Sequence, residues 1–273
     1  MEVEHQVANY YTRGGLQEKV ISALHTAGKN VDQLRAEDLA ALDEFHLGGL
    51  ESTQALAEFM ELRPGMHLLD VGCGIGGPAR HFGQHGCQVT GIDLTEEFVG
   101  VAKNLTRTVK LAQRVNFRQA SALALPFDAG TFDGAYEIHV GMNLADKAGA
   151  FREVARVLKP GAQFAIFDLM RVGDGALTFP VPWAQAPETS FVASPDDYRQ
   201  ALEAAGFRIA HQRDRRQFAL EFMARMAAQS ASGPPVLGVH LLMGEQAPLM
   251  LKNVNLALVS GALSLVEMIA VAS

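Results

Sequence analysis

In the run Leu68 to Arg80, LLDVGCGIGGPAR, a carboxylate stands directly before a set of glycines and the helix start that follows them. Asp70 lies near the end of an apolar strand, His67 to Val71, two residues before Gly72. Gly72, Gly74 and Gly77 match the spacing G-x-G-x-x-G, and Gly76 lies in the same turn. Glycines there let a ligand approach backbone N–H groups at a helix N-terminus. In a dinucleotide site the ligand is a pyrophosphate, which a carboxylate at Asp70 repels. The same carboxylate favours a ligand that carries an ammonium and a sulfonium. A second apolar strand, CQVTGID, ends in Asp93, with Leu94 next, roughly 20 residues past the glycines, where an acid accepts both hydroxyls of a ribose. Asp93 by itself suits NAD equally well, so Asp70 makes the choice.

The motifs continue with A-L-A-L-P-F (Ala122 to Phe127), F-D (Phe132, Asp133) and R-V-L-K-P-G (Arg156 to Gly161). In that order they resemble class I S-adenosylmethionine-dependent methyltransferases. The likeness is nearest to the small-molecule branch that includes quinone, sterol and sarcosine or dimethylglycine methyltransferases, and it runs from about Phe45 to Met170. The resemblance implies S-adenosylmethionine as cofactor, with its methionine end across the glycine turn. The residues expected around that cofactor are Asp70, Gly72, Gly74, Gly76, Asp93, Leu94, Ser121 and Ala122, with Glu137 and Tyr11 as further candidates read from their positions. Ser121 stands where the family often has an Asp for the adenine amino group, and a hydroxyl also accepts that bond. Ala162 replaces a glycine of the family's P-G-G turn.

A sulfonium makes its methyl group electrophilic, so the protein's first task is positioning, which can supply ~7 to 11 kcal/mol. A base is needed where the acceptor must lose a proton. His139, in YEIHVGMN just past the fourth strand, is the candidate, because open α/β sheets place ligands at strand carboxyl ends and imidazole titrates near ~6.5. The same ring can instead bond a backbone carbonyl or orient the cofactor's carboxylate. His46, in Phe45 to Gly49, and Trp183, between prolines, are candidates for the acceptor site; each can also simply close or pin its loop. Tyr10 and Tyr11 can cover a sulfonium through their ring faces or pack as terminal residues. Glu137 reaches a ligand or ends its strand in solvent.

The elements that must hold these residues alternate. Beyond the two strands above, strands are expected at Val115 to Gln119, Phe132 to Glu137, Gln163 to Leu169, from Phe207 onward and Leu265 to Val271. Helices fall between them: from Pro78 through Phe82, from a Thr95 cap through Leu105, Phe151 to Leu158, and from a Ser194-Pro195 start to Gly206. This is an α/β, doubly wound pattern. The resemblance makes it a mostly parallel seven-stranded sheet with a reversed last strand. Leu16, Val20, Ile21 and Leu24 share one face of a helix, and Ser52 or Thr53 can cap another that carries Leu56, Phe59 and Met60. The organisation expected is a helical cover over residues 1–62 and a cofactor-binding domain over 63–273. An apolar, lid-like helical insertion at 217–261 precedes the last strand. Met223, Met226, Met243 and Met250 of that insertion suit either a lid or ordinary core packing.

Composition narrows the partners. The chain has 273 residues, 48% of them apolar, with a net charge of −7. That balance opposes nucleic acid, which needs a basic face. The single compact basic cluster, Arg213 to Arg216, reads as a solvated strand end. The start MEVEHQ lacks an apolar signal segment, and the apolar tail Val254 to Ala272 is broken by Gly261 and Glu267, so a cytoplasmic protein without membrane insertion is expected. Cys73 and Cys87 read as buried thiols, and no histidine spacing marks a metal site, so none is expected. The partner is a small-molecule substrate; oligomeric state is not legible. Two further readings stay open: a protein that keeps the cofactor without transferring methyl, and an NAD-dependent oxidoreductase.

Overall fold

The computed structural model describes residues 2–229, 233 and 235–273. Its seven strands are β1 (His67–Val71), β2 (Gln88–Asp93), β3 (Val115–Gln119), β4 (Phe132–Ile138), β5 (Leu158–Arg171), β6 (Phe207–Asp214) and β7 (Leu263–Ala272). They form one sheet in the order β3-β2-β1-β4-β5-β7-β6. The first five pair in parallel, and β7 runs antiparallel between β5 and β6. The order reverses at β1, beside β4, which is where a doubly wound sheet opens a crevice.

The helices are α1 (Glu2–Tyr11), α2 (Leu16–Thr26), α3 (Ala40–Asp43), α4 (Gly49–Phe59), α5 (Gly77–Gln84), α6 (Glu96–Thr108), α7 (Lys147–Val157), α8 (Pro195–Ala204), α9 (Arg216–Gln229), α10 (His240–Met243) and α11 (Ala247–Ser260). Strand alternation divides the core. Leu69, Val71, Phe164 and Ile166 pack with Phe151 of α7 and Tyr198 of α8. Leu68, Tyr136 and Ala165 pack with Leu56 of α4 and Phe82 of α5. Each fully buried side chain of this kind stabilises by ~1.5 to 3 kcal/mol. No described helix is long and apolar enough to cross a membrane.

Several local expectations change. β5 is 14 residues long because β7 pairs with it from Gln163 to Arg171, while Leu158 bridges to Phe132. Ser52 and Thr53 lie inside α4, whose N-cap is Gly48. Their hydroxyls instead reach back to the carbonyl of Leu47 and the carboxylate of Glu44. Thr95 occupies the N-cap of α6 but makes no side-chain cap bond; its backbone N–H donates to Asp93 Oδ1 at 2.8 Å. Ser194 does cap α8, in a reciprocal pair with Asp197.

The basic cluster is not a solvated strand end. Arg213 and Arg215 both pair with Glu267, which is wholly buried on β7, and Arg216 binds the last carbonyls of α11 at Leu258 and Val259. Three methionines of the insertion are buried: Met223 joins Phe167 and Leu169, while Met243 and Met250 pack with each other and Ala247. None of the described residues of 217–261 lines the main cavity.

Candidate functional site

At the carboxyl ends of β1, β2 and β4 lies a cavity of about 330 Å³, walled by the glycine turn, the Phe45 to Gly49 loop, the segment after β4, the Trp183 loop and, on top, α1. The turn takes its shape from glycines at two crowded points. Gly72 adopts φ +72°, and a Cβ there would lie 2.5 Å from a Val140 methyl. Gly77 opens α5 where a Cβ would lie 2.3 Å from the Asp43 carbonyl, so the third glycine of the spacing serves close approach of the His46 loop.

Arg80 ties these parts together. Its guanidinium pairs with Asp43 at 2.6 Å and donates to the Ile75 carbonyl at 2.7 Å and the Thr106 hydroxyl at 3.0 Å, with both ionic partners buried. The loop that carries His46 is thereby fixed against the glycine turn.

Asp70 faces the cavity with Oδ2 buried and unpartnered. Burial pushes its carboxyl up to about 8, with the nearby Tyr136 hydroxyl opposing. Asp93 also lines the cavity; Oδ2 accepts the Gly74 N–H at 2.9 Å and Oδ1 that of Thr95. Each carboxylate oxygen has a second lone pair, so two acceptor positions remain for a diol. An orphaned acid facing the glycine turn and a braced acid one strand away fit the two ends of S-adenosylmethionine.

The structure brings Tyr11, His46, Asp70, Gly72, Gly74, Asp93, Leu94, Ala122, His139 and Trp183 to this one cavity. Ser121 is set back: its hydroxyl bonds the Glu4 carboxylate of α1, while its neighbours Ala120 and Ala122 face the cavity. Gly76 is displaced too, packed against Phe117 and Arg80.

Glu137 departs furthest from expectation. It neither reaches the cavity nor ends in solvent, because it is one residue out of phase with Tyr136 and faces the α7 side of the sheet, 1% exposed. Neither of its carboxylate oxygens has a partner, and burial beside Asp168 holds its carboxyl well above the usual range, with Lys147 opposing. Trp183 lines the cavity and donates from Nε1 to Ser190 at 2.9 Å, which pins its loop. Tyr10 packs outward, its hydroxyl bonding the carbonyls of Val181 and Pro182.

His139 follows β4 at φ +56°, its N–H on the Phe167 carbonyl at 2.8 Å and its ring stacked on Phe167. Its Nε2 is buried without a partner, and burial, then His46, hold its pKa well below the ordinary value. His46 stands 6.0 Å away, ring to ring, and burial lowers its pKa to about 4.

Sequence reasoning missed Glu44, Thr53 and Asn143. The acid-x-His spacing of Glu44 and His46 and the lone amide at the end of YEIHVGMN were the available signals. Among the described residues, no group of three His, Cys, Asp or Glu side chains is arranged to hold a metal.

Residues 69–166 match the family model of a methyltransferase domain. An O-methyltransferase of Pyrenophora dematioidea is 34% identical over 160 residues, which cover 56% of this chain and 58% of that relative's length. An O-methyltransferase of Aspergillus nomiae is 34% identical over 58% of this chain and 71% of its own length. The crystal structure of the [4+2]-cyclase SpnF is 26% identical, covers 81% of this chain and 80% of its own, and superposes with a TM-score of 0.63. By its fold, its glycine turn and these matches, the chain belongs to the S-adenosylmethionine-dependent methyltransferase family.

Proposed function

We propose that the protein transfers the methyl group of S-adenosylmethionine to a small, partly apolar metabolite. The observation that carries this reading is the buried oxygen of Asp70, unpartnered by any protein group at the cavity wall, an acceptor suited to a cationic ligand. The cofactor supplies an electrophilic methyl on a sulfonium. Asp70 holds its ammonium end, Asp93 its ribose hydroxyls, and the backbone around Ala122 its base.

Residues of α1 close the top and exclude water, with Tyr11 between the two ends of the cavity. His46, His139, Asn143 and Trp183 form the acceptor end, where an imidazole receives the acceptor's proton or orients it. We place residues 1–62 as a cover on a cofactor domain of 63–273. The acceptor is a small molecule rather than nucleic acid, and the cytoplasm, where Cys73 and Cys87 stay reduced, is the place of action.

The test is a calorimetric titration with S-adenosylmethionine, S-adenosylhomocysteine and NAD in parallel. Binding of the first two without NAD is expected; NAD alone would overturn the reading of Asp70. A second reading, a family member that does not transfer methyl, is favoured by the likeness to a [4+2]-cyclase. A labelled-methyl screen over small acceptors separates the two.

A further inference from the structure

Two imidazoles face the acceptor end, and only one has its hydrogens assigned by its neighbours. His46 Nε2 lies 3.1 Å from the Gly49 carbonyl and 3.2 Å from Thr53 Oγ1. A carbonyl only accepts, so Nε2 carries the hydrogen. Thr53 spends its own proton on Glu44 Oε2 at 2.7 Å, which leaves its oxygen as a second acceptor for Nε2. Nδ1 therefore keeps its lone pair. Glu44 Oε2 stands 3.7 Å from Nε2, close enough to stabilise an imidazolium once it forms. His139 has no such support: Nε2 is buried and unpartnered, and His46 opposes its protonation.

The cavity also selects by charge. Among the described residues that line it there is no Lys or Arg. Of its acids, Asp43 is committed to Arg80 and Asp146 to the Gly149 N–H. A phosphorylated or carboxylated acceptor would be desolvated there without a counter-charge. Phe45, Met142 and Trp183 make the rest of that end apolar.

We propose that His46, positioned by Glu44 and Thr53, is the proton acceptor for an uncharged hydroxyl carried on an apolar molecule. This deepens the methyltransferase reading and rests on it. The acceptor oxygen forms the new C–O bond as the C–S pair returns to sulfur, and the hydroxyl proton passes to Nδ1 of His46. Gly49 and Thr53 hold the Nε2 hydrogen on the far side, and Glu44 places a carboxylate behind it. Burial, with Asp43 and Asp70 nearby, pushes Glu44 up to about 8, while Thr53 and Arg80 pull it down. Support from its carboxylate, with His46 on its other side, therefore grows through that range.

Two readouts test this on the full chain saturated with S-adenosylhomocysteine or supplied with S-adenosylmethionine. In the first, 4-nitrophenol is titrated in from about pH 6 to about pH 9 and followed by phenolate absorbance. At the same pH the bound probe is expected to show more phenolate in the parent than in His46→Asn, which keeps a donor for Gly49. In the second, labelled methyl is offered to 1-naphthol, 1-naphthylamine and 1-naphthyl phosphate. Transfer to the naphthol is expected, with kcat falling about 100-fold in His46→Asn while KM and S-adenosylhomocysteine affinity stay within about threefold. Glu44→Gln should remove the rise in kcat near pH 8.

A phenolate signal that survives His46→Asn, exclusion of the probe, or preferred transfer to the amine or the phosphate overturns the assignment. A His46-dependent phenolate signal with no methyl transfer to any probe would remove the methyltransferase reading and leave His46 as the proton acceptor. If His46→Asn no longer binds S-adenosylhomocysteine, Glu44→Gln decides, and an unchanged pH profile overturns the proposal.

Discussion

The hydroxyl of Tyr11 stands 3.3 Å from Oδ1 and 3.2 Å from Nδ2 of Asn143, joining α1 to the segment after β4 across the cavity. Tyr11 is half-buried, and the loss of solvent around its hydroxyl raises its pKa and keeps it protonated as a donor. Tyr11→Phe removes this link and keeps the ring. The expected result is S-adenosylhomocysteine binding weaker by ~1 kcal/mol, roughly fivefold, by calorimetry, with the melting temperature nearly unchanged.

Asp93 braces the turn and faces the cavity, so its removal has two effects. Asp93→Ala should weaken cofactor binding by ~1.5 to 3 kcal/mol, the range for hydrogen bonds to charged groups, and loosen the Gly74 and Thr95 backbone. Unchanged affinity for S-adenosylhomocysteine would contradict the ribose assignment.

Asp70 gives a pH dependence with a definite sign. Its folded value of about 8 lies above the ~3.9 of an unfolded chain, so the empty protein loses stability as pH rises from about 4 to about 8. A cationic ligand needs the carboxylate, so affinity for S-adenosylmethionine should fall below pH 8, by up to about tenfold per pH unit, with a proton released on binding. Calorimetry in buffers of different ionisation enthalpy measures that proton. Asp70→Asn should flatten the profile, weaken binding and raise the melting temperature of the empty protein near pH 8.

Arg80 and Asp43 form an ion pair with both side chains almost fully buried. Arg80→Leu leaves the carboxyl of Asp43 without its partner and frees the Ile75 carbonyl. A loss of ~3 to 5 kcal/mol is expected, read as a melting temperature roughly 10 °C lower. A change within about two degrees would mean that the loop carrying His46 is held by its other contacts.

Strand and helix starts were legible where local chemistry is strong. The apolar runs of β1 to β3, the capped start at Ser194 and the acids Asp70 and Asp93 stand where their patterns put them. The departures are set by tertiary partners that no local window contains. Arg213 and Arg215 look like surface charge until Glu267 of β7 is folded beside them. Glu137 and Tyr136 differ by one residue, and that phase alone sends one carboxylate behind the sheet. The pairing of Glu44, Thr53 and His46 depends on α4 turning Thr53 back over the preceding loop, which spacing does not show.

The position of β7 also orders assembly. β1 to β5 can pair as a contiguous sheet in the order β3-β2-β1-β4-β5 while the chain is still being synthesised. β6 cannot join them, since its neighbour in the sheet is β7, which lies about 50 residues further along the chain. Until β7 slots in, β6 has an unsatisfied hydrogen-bonding edge, and Arg213 and Arg215 lack the buried acid they pair with. A nascent chain halted just before Leu263 should therefore be cut by protease between β6 and α11 while its first five strands resist.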